Sequence, residues 1–120
     1  MTLNRKRGAI LISGRGSNMV SLLRAAQLDD FPVEFTLVIS DKIEAPGLGI
    51  ATSAGVKTHA LRHCRDGREA WEDELHQLLT DGEIDLICLA GFMRLLSAEF
   101  VGRWAERILN IHPSLLPDFP

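Results

Sequence analysis

The chain has 120 residues, 46% of them hydrophobic and 24% charged, and carries a net charge of −3. Such a length and composition suit one soluble globular domain able to bury roughly two-thirds of its unfolded surface. The mild negative charge argues against the broad basic field of a nucleic-acid or anionic-membrane binder, and no apolar run approaches the roughly 20 residues of a membrane helix.

The cluster Arg5-Lys6-Arg7 opens the chain without a following apolar run of signal-peptide type. Cys64 and Cys88 show no metal-binding or redox spacing, which predicts two free thiols in a reduced, cytoplasmic protein. Gly8–Ile12 is an apolar run without helical period, a buried strand. It breaks at the glycine-rich turn Ser13-Gly14-Arg15-Gly16-Ser17-Asn18. From Met19 the apolar residues Met19, Leu22, Leu23 and Ala26 recur at helical spacing, with Ser17 or Asn18 as the expected N-cap.

Val33–Ile39 is a second strand, ended by Ser40-Asp41-Lys42. Pro46–Ala54 is a weaker helix with Pro46 in its first turn and Gly55 as its stop. Lys57–Leu61 is a short third strand. A longer helix runs from Arg68 to Thr80, its apolar face made by Ala70, Trp71, Leu75, Leu78 and Leu79, with Gly82 closing it. Ile84–Leu89 is a fourth strand, apolar apart from Asp85 and expected to be buried on both faces. After the loop Gly91-Phe92-Met93-Arg94, Ser97 caps a short helix that reaches Ala105, and Arg107–Ile111 forms the fifth strand.

Alternating strands and helices predict an α/β fold, a doubly wound, mostly parallel Rossmann-like sheet in the order 3-2-1-4-5. No repeat or linker divides residues 1–120, which are expected to form a single domain. In that order the loops after strands one, four and five meet at the switch point, where such folds bind ligands.

Each of those loops carries residues with chemical capacity. Gly14–Asn18 opens a helix, and the free N–H groups of a helix start attract anions. It lacks the third glycine of a dinucleotide fingerprint and the Gly-Lys-Ser/Thr of a nucleotide triphosphate loop. A single phosphate monoester suits it better, the alternative being a plain tight turn. Arg94 can hold a carboxylate or stack on a flat ring, with Met93, Leu95 and Leu96 as apolar walls. The opposite arrangement, with those three in the core and Arg94 on the surface, is equally compatible with the spacing. Arg68 sits at a helix start, where a cation is misplaced by the dipole and either answers an anionic ligand or is simply solvated.

His59 and His63 are four apart but straddle a strand end and a loop, so no metal site is expected. His76 is expected on the wet face of its helix, and Asp85 to cap or pair locally. Asn110 and His112 are two apart on a strand and so share a face, with Pro113 ending ladder pairing beyond them. This couple is either the working end of an enzyme strand or a strand end with a solvated histidine before a turn.

Three segments together, Leu11-Ile12-Ser13-Gly14-Arg15-Gly16-Ser17-Asn18, Leu89-Ala90-Gly91-Phe92-Met93-Arg94-Leu95-Leu96-Ser97 and Leu109-Asn110-Ile111-His112-Pro113-Ser114-Leu115-Leu116-Pro117, closely resemble the phosphoribosylglycinamide formyltransferase (glycinamide ribonucleotide transformylase) family. The resemblance runs from about Gly8 to Pro120 and covers the N-terminal portion of that family's domain. It implies transfer of the formyl group of 10-formyltetrahydrofolate, a co-substrate, to the amine of glycinamide ribonucleotide in purine synthesis, without a metal. By the same resemblance Gly16, Ser17 and Asn18 hold the ribonucleotide phosphate, Arg68, Met93, Arg94, Leu95, Leu96 and Asn110 line the folate site, and Asn110 and His112 are catalytic. Implied partners are these small molecules, with neither nucleic acid nor membrane; the oligomeric state is not implied. Family members are longer, and the Asp that orients their histidine falls beyond Pro120, so the fold is expected to be truncated after the fifth strand. A formyltetrahydrofolate hydrolase and a non-catalytic phosphate-binding fragment are the alternatives.

Overall fold

The computed structural model describes residues 5–62 and 67–111. His63, Cys64 and His112, all named above, lie outside those residues.

The chain alternates strand and helix: β1 (Lys6–Ile12), α1 (Ser17–Ala25), β2 (Val33–Ser40), α2 (Pro46–Ser53), β3 (Lys57–Ala60), α3 (Arg68–Asp81), β4 (Leu86–Leu89), α4 (Ala98–Arg103) and β5 (Ile108–Asn110). All pairings are parallel and the order is β3-β2-β1-β4-β5, as the alternation predicts.

Because β1 is central, both its faces are covered, and its side chains divide between two apolar layers. Ala9 and Leu11 point toward α3 and α4, packing with Trp71, Leu75, Leu79, Phe100 and Trp104. Ile10 and Ile12 point the other way, packing with Met19, Leu22, Val38, Ala51 and Cys88. Burial of Cys88 pushes its thiol up from its usual 9.0 to about 11, so it remains protonated at neutral pH.

Several local expectations change. β4 begins at Leu86 rather than Ile84, because Ile84 still donates its N–H to Leu79 O (3.0 Å) in the turn that ends α3. Gly82 closes α3 as expected, and the left-handed residue of the turn is the next one, Glu83 (φ 55°). Asp85 does not pair locally. Its N–H meets Arg7 O at 2.8 Å and its carboxylate accepts Arg7 N–H at 2.9 Å, extending the β1–β4 ladder by a side chain. His76 is not on a wet face: it is half-buried, edge-on to Trp104, and its Nδ1 accepts the indole N–H at 3.1 Å. Among the described residues no helix is long and apolar enough to cross a membrane.

Candidate functional site

The register fixes which strand ends stand together. Leu11 of β1 is level with Leu89 of β4, and Leu89 with Asn110 of β5. The ladder continues past the strands, Ala90 N–H to Leu11 O and Ile111 N–H to Leu89 O, each at 2.9 Å. Asn110 therefore stands two strand spacings, roughly 10 Å, from the start of the glycine loop, at the same carboxyl end of the sheet. Its side chain is exposed.

The glycine loop enters α1 through Gly16, which holds φ 77° and is itself the N-cap. The expectation of Ser17 or Asn18 as cap fails for this reason: the left-handed turn at Gly16 starts the helix one residue early, and no side chain among the described residues caps it. The first N–H groups of α1 consequently remain without intrahelical partners, at the positive end of the helix dipole. The loop is braced from behind by α2, whose Gly47 N–H reaches Gly14 O at 3.2 Å. A Cβ on Gly47 would stand 2.5 Å from Ile12 Cδ1 and 3.3 Å from Gly16 Cα, so the approach requires glycine.

A cleft of about 310 Å³ opens there. Ser13–Asn18 line one side, Ala90, Gly91 and Met93 the other, and Lys42 adds a cation from the turn after β2. Ser40 tightens that turn, its buried hydroxyl bonding both the N–H and the carbonyl of Lys42. A cleft with Lys42, Arg15 and free helix-start N–H groups suits a dianionic phosphate.

Across the cleft, the segment from Ala90 to Ser97 is held at several points. Ser13 Oγ accepts the Met93 N–H at 2.8 Å. Phe92 stacks on Trp71 of α3 with centroids 6.0 Å apart, and the Arg94 guanidinium lies 5.1 Å from the Trp71 ring. Trp71 is fixed in turn by its indole N–H on Leu61 O at 2.7 Å. Arg94 Nε is 3.5 Å from an Asp41 carboxylate whose side chain is 7% exposed. At the far end, buried Glu72 accepts both the N–H and the hydroxyl of Ser97, and Ser97 caps α4 through Phe100 N–H. Arg94 thus does stack on a flat ring, but on the protein's own tryptophan. The alternative with Met93 and Leu95 in the core is excluded, since they are 79% and 82% exposed, while Leu96 packs partly against the core.

Arg68 is not brought to this cleft. It lines a separate cavity of about 410 Å³ between α3 and α4, among Glu69, Glu72, Asp73 and Glu99. Among the described residues no cluster of three or more His, Cys, Asp or Glu side chains could hold a metal ion.

Sequence reasoning missed Ser13, Asp41, Lys42 and Glu72. Glu72 carries the clearest signal, a carboxylate on the same helical stripe as the buried Leu75 and Leu79. A charge at a core position implies a buried partner. Ser13 and Asp41 each follow a buried strand at the carboxyl edge of the sheet, where polar side chains meet neighbouring loops.

Residues 6–120 match the family model described as Formyl transferase. The trifunctional purine biosynthetic protein adenosine-3 of Drosophila melanogaster is 46% identical over 124 residues, which take in 100% of this chain and 9% of that protein. Phosphoribosylglycinamide formyltransferase of Escherichia coli K12 is 44% identical over 112 residues, covering 92% of this chain and 53% of the relative. The crystal structure of phosphoribosylglycinamide formyltransferase from Brucella melitensis superposes with a TM-score of 0.86 at 51% identity, over 98% of this chain and 62% of that one. The chain thus spans about half the length of the Escherichia coli relative and about a tenth of the trifunctional one.

Proposed function

Since the chain belongs to the formyl transferase family, we propose that it forms the N-terminal part of a phosphoribosylglycinamide formyltransferase, passing a formyl group from 10-formyltetrahydrofolate to the amine of glycinamide ribonucleotide. The observation that carries this is the shared edge: a phosphate-suited cleft after β1 and Asn110 at the tip of β5 face the same carboxyl end of one sheet.

Gly16, Ser17 and Asn18 hold the phosphate, with Lys42 as an added counter-charge. The segment Met93-Arg94-Leu95-Leu96 offers the formyl donor two exposed apolar side chains, Met93 and Leu95, on a braced backbone. Arg68 is assigned to the folate site from the family pattern alone; it stands in the separate cavity between α3 and α4, among four carboxylates.

When the amine attacks the formyl carbon, the carbonyl oxygen becomes an oxyanion. The Asn110 amide can donate to it, and losing one such donor typically costs about 10²–10³ in rate. His112 takes the proton from the attacking nitrogen and returns one to the departing folate nitrogen, a task suited to an imidazole whose ordinary pKa is near 6.5.

The test is transfer with Asn110→Ala and His112→Ala in the protein as the cell makes it. Turnover should fall by about 10²-fold or more in each, while ribonucleotide affinity stays nearly unchanged. Near-normal turnover in either variant refutes the assignment. Formyl loss that proceeds equally without the ribonucleotide would identify a hydrolase instead.

A further inference from the structure

Ser13 is the first residue of the glycine-rich turn, directly after β1, and is only 3% exposed. Its hydroxyl crosses the cleft floor to accept the backbone N–H of Met93, 80 residues away, at 2.8 Å. The next residue in the chain is Gly14, which accepts the Gly47 N–H.

Met93 gains no anchorage from its own side chain, which is 79% exposed, and neither does Leu95 at 82%. Gly91 before them holds φ 73°, a turn with no side chain to pack. Phe92 and Arg94 on either side dock onto Trp71, away from the glycine loop, and the Ser13 hydroxyl is the contact that ties the Met93 backbone directly to the strand carrying that loop. A packed neighbour would tolerate small slips; a single directional hydrogen bond sets a distance.

We propose that Ser13 is a positioning residue that sets the separation between the phosphate loop and the Met93–Leu96 segment. The inference rests on the functional reading above, in which these two segments hold the two substrates. Ser13 lines the cleft, and the role proposed for it is exerted through the Met93 N–H rather than on the reacting atoms.

The experiment compares Ser13→Ala, which removes the acceptor, with Ser13→Thr, which keeps it, in the protein as the cell makes it. Amide hydrogen exchange at Met93 should be about tenfold faster in the alanine variant, as for one unmet hydrogen-bonding group, and near normal in the threonine variant. The KM for 10-formyltetrahydrofolate should rise about tenfold in the alanine variant, while the Kd for glycinamide ribonucleotide stays within about twofold. Threonine should restore the KM.

Unchanged exchange at Met93, or equal weakening of both substrates, overturns the proposal, the second result marking Ser13 as a general support of the fold. If Ser13→Ala does not fold, Ser13→Cys keeps the volume with a poor acceptor and must give the same split. Failure of the unmutated protein to transfer formyl groups would overturn the functional reading instead, and Met93 exchange would still decide whether the tether exists.

Discussion

Two glycines of α2, two residues apart, should respond to alanine in opposite directions. A Cβ on Gly47 would stand 2.5 Å from Ile12 Cδ1, 3.2 Å from Gly14 O and 3.3 Å from Gly16 Cα. Ile12 is fully buried, and the other two neighbours are backbone of the phosphate loop, so something must move. Overpacking of this kind costs about 1–3 kcal/mol, from which up to about 1 kcal/mol is recovered because alanine is the better helix former. Because the same recovery applies at Gly49, Gly47→Ala should be less stable than Gly49→Ala by about 1–3 kcal/mol. A Cβ on Gly49 meets nothing within 4 Å, so Gly49→Ala should be neutral or stabilising by up to about 1 kcal/mol. Urea unfolding of both variants reads the stability, and calorimetric titration with inorganic phosphate reads the loop. Gly47→Ala should also weaken phosphate binding, because its relief pushes on Gly14 and Gly16; Gly49→Ala should not. Equal stability of the two variants, or unchanged phosphate affinity in Gly47→Ala, would refute the close approach of α2 to the loop.

Glu72→Ala removes the acceptor for both the N–H and the hydroxyl of Ser97, and should cost about 1.5–3 kcal/mol in urea unfolding, as for hydrogen bonds to a charged group. Arg94→Met leaves the Asp41 carboxylate, 7% exposed, without its cation; stability should fall, and the additional change Asp41→Asn should recover part of the loss in a double-mutant cycle. Cys88 should resist thiol-modifying reagents at pH 8 in the native protein and react on unfolding. Because burial holds its pKa near 11, above the 9.0 of the unfolded thiol, its contribution to stability is complete below pH 9 and declines between pH 9 and 11, which unfolding measured across that range checks against Cys88→Ala.

The parallel sheet and its order were legible in the amino-acid sequence because the information is local. Apolar runs without period, helices with 3.6-residue spacing and glycine stops each declare themselves within a dozen residues, and right-handed crossovers then leave few orders to choose from. The glycine loop and the polar end of β5 were legible for the same reason. Small errors came from caps. Gly16, not Ser17 or Asn18, starts α1 in a left-handed turn, whereas Gly82 closes α3 as expected with the left-handed φ falling on the next residue, Glu83. Each choice depends on what the adjoining strand requires of the chain.

What only the tertiary structure decided is how the loops are held to one another. The sequence places Arg94 in a loop beside apolar residues, but not on Trp71 and against Asp41. Nor does it place Ser13 beneath Met93 or Glu72 beneath Ser97. These contacts join residues 23 to 80 positions apart through directional groups. Such pairings leave no periodic trace, because a hydrogen bond needs one donor and one acceptor at the right separation, and only the packed sheet brings the two ends together.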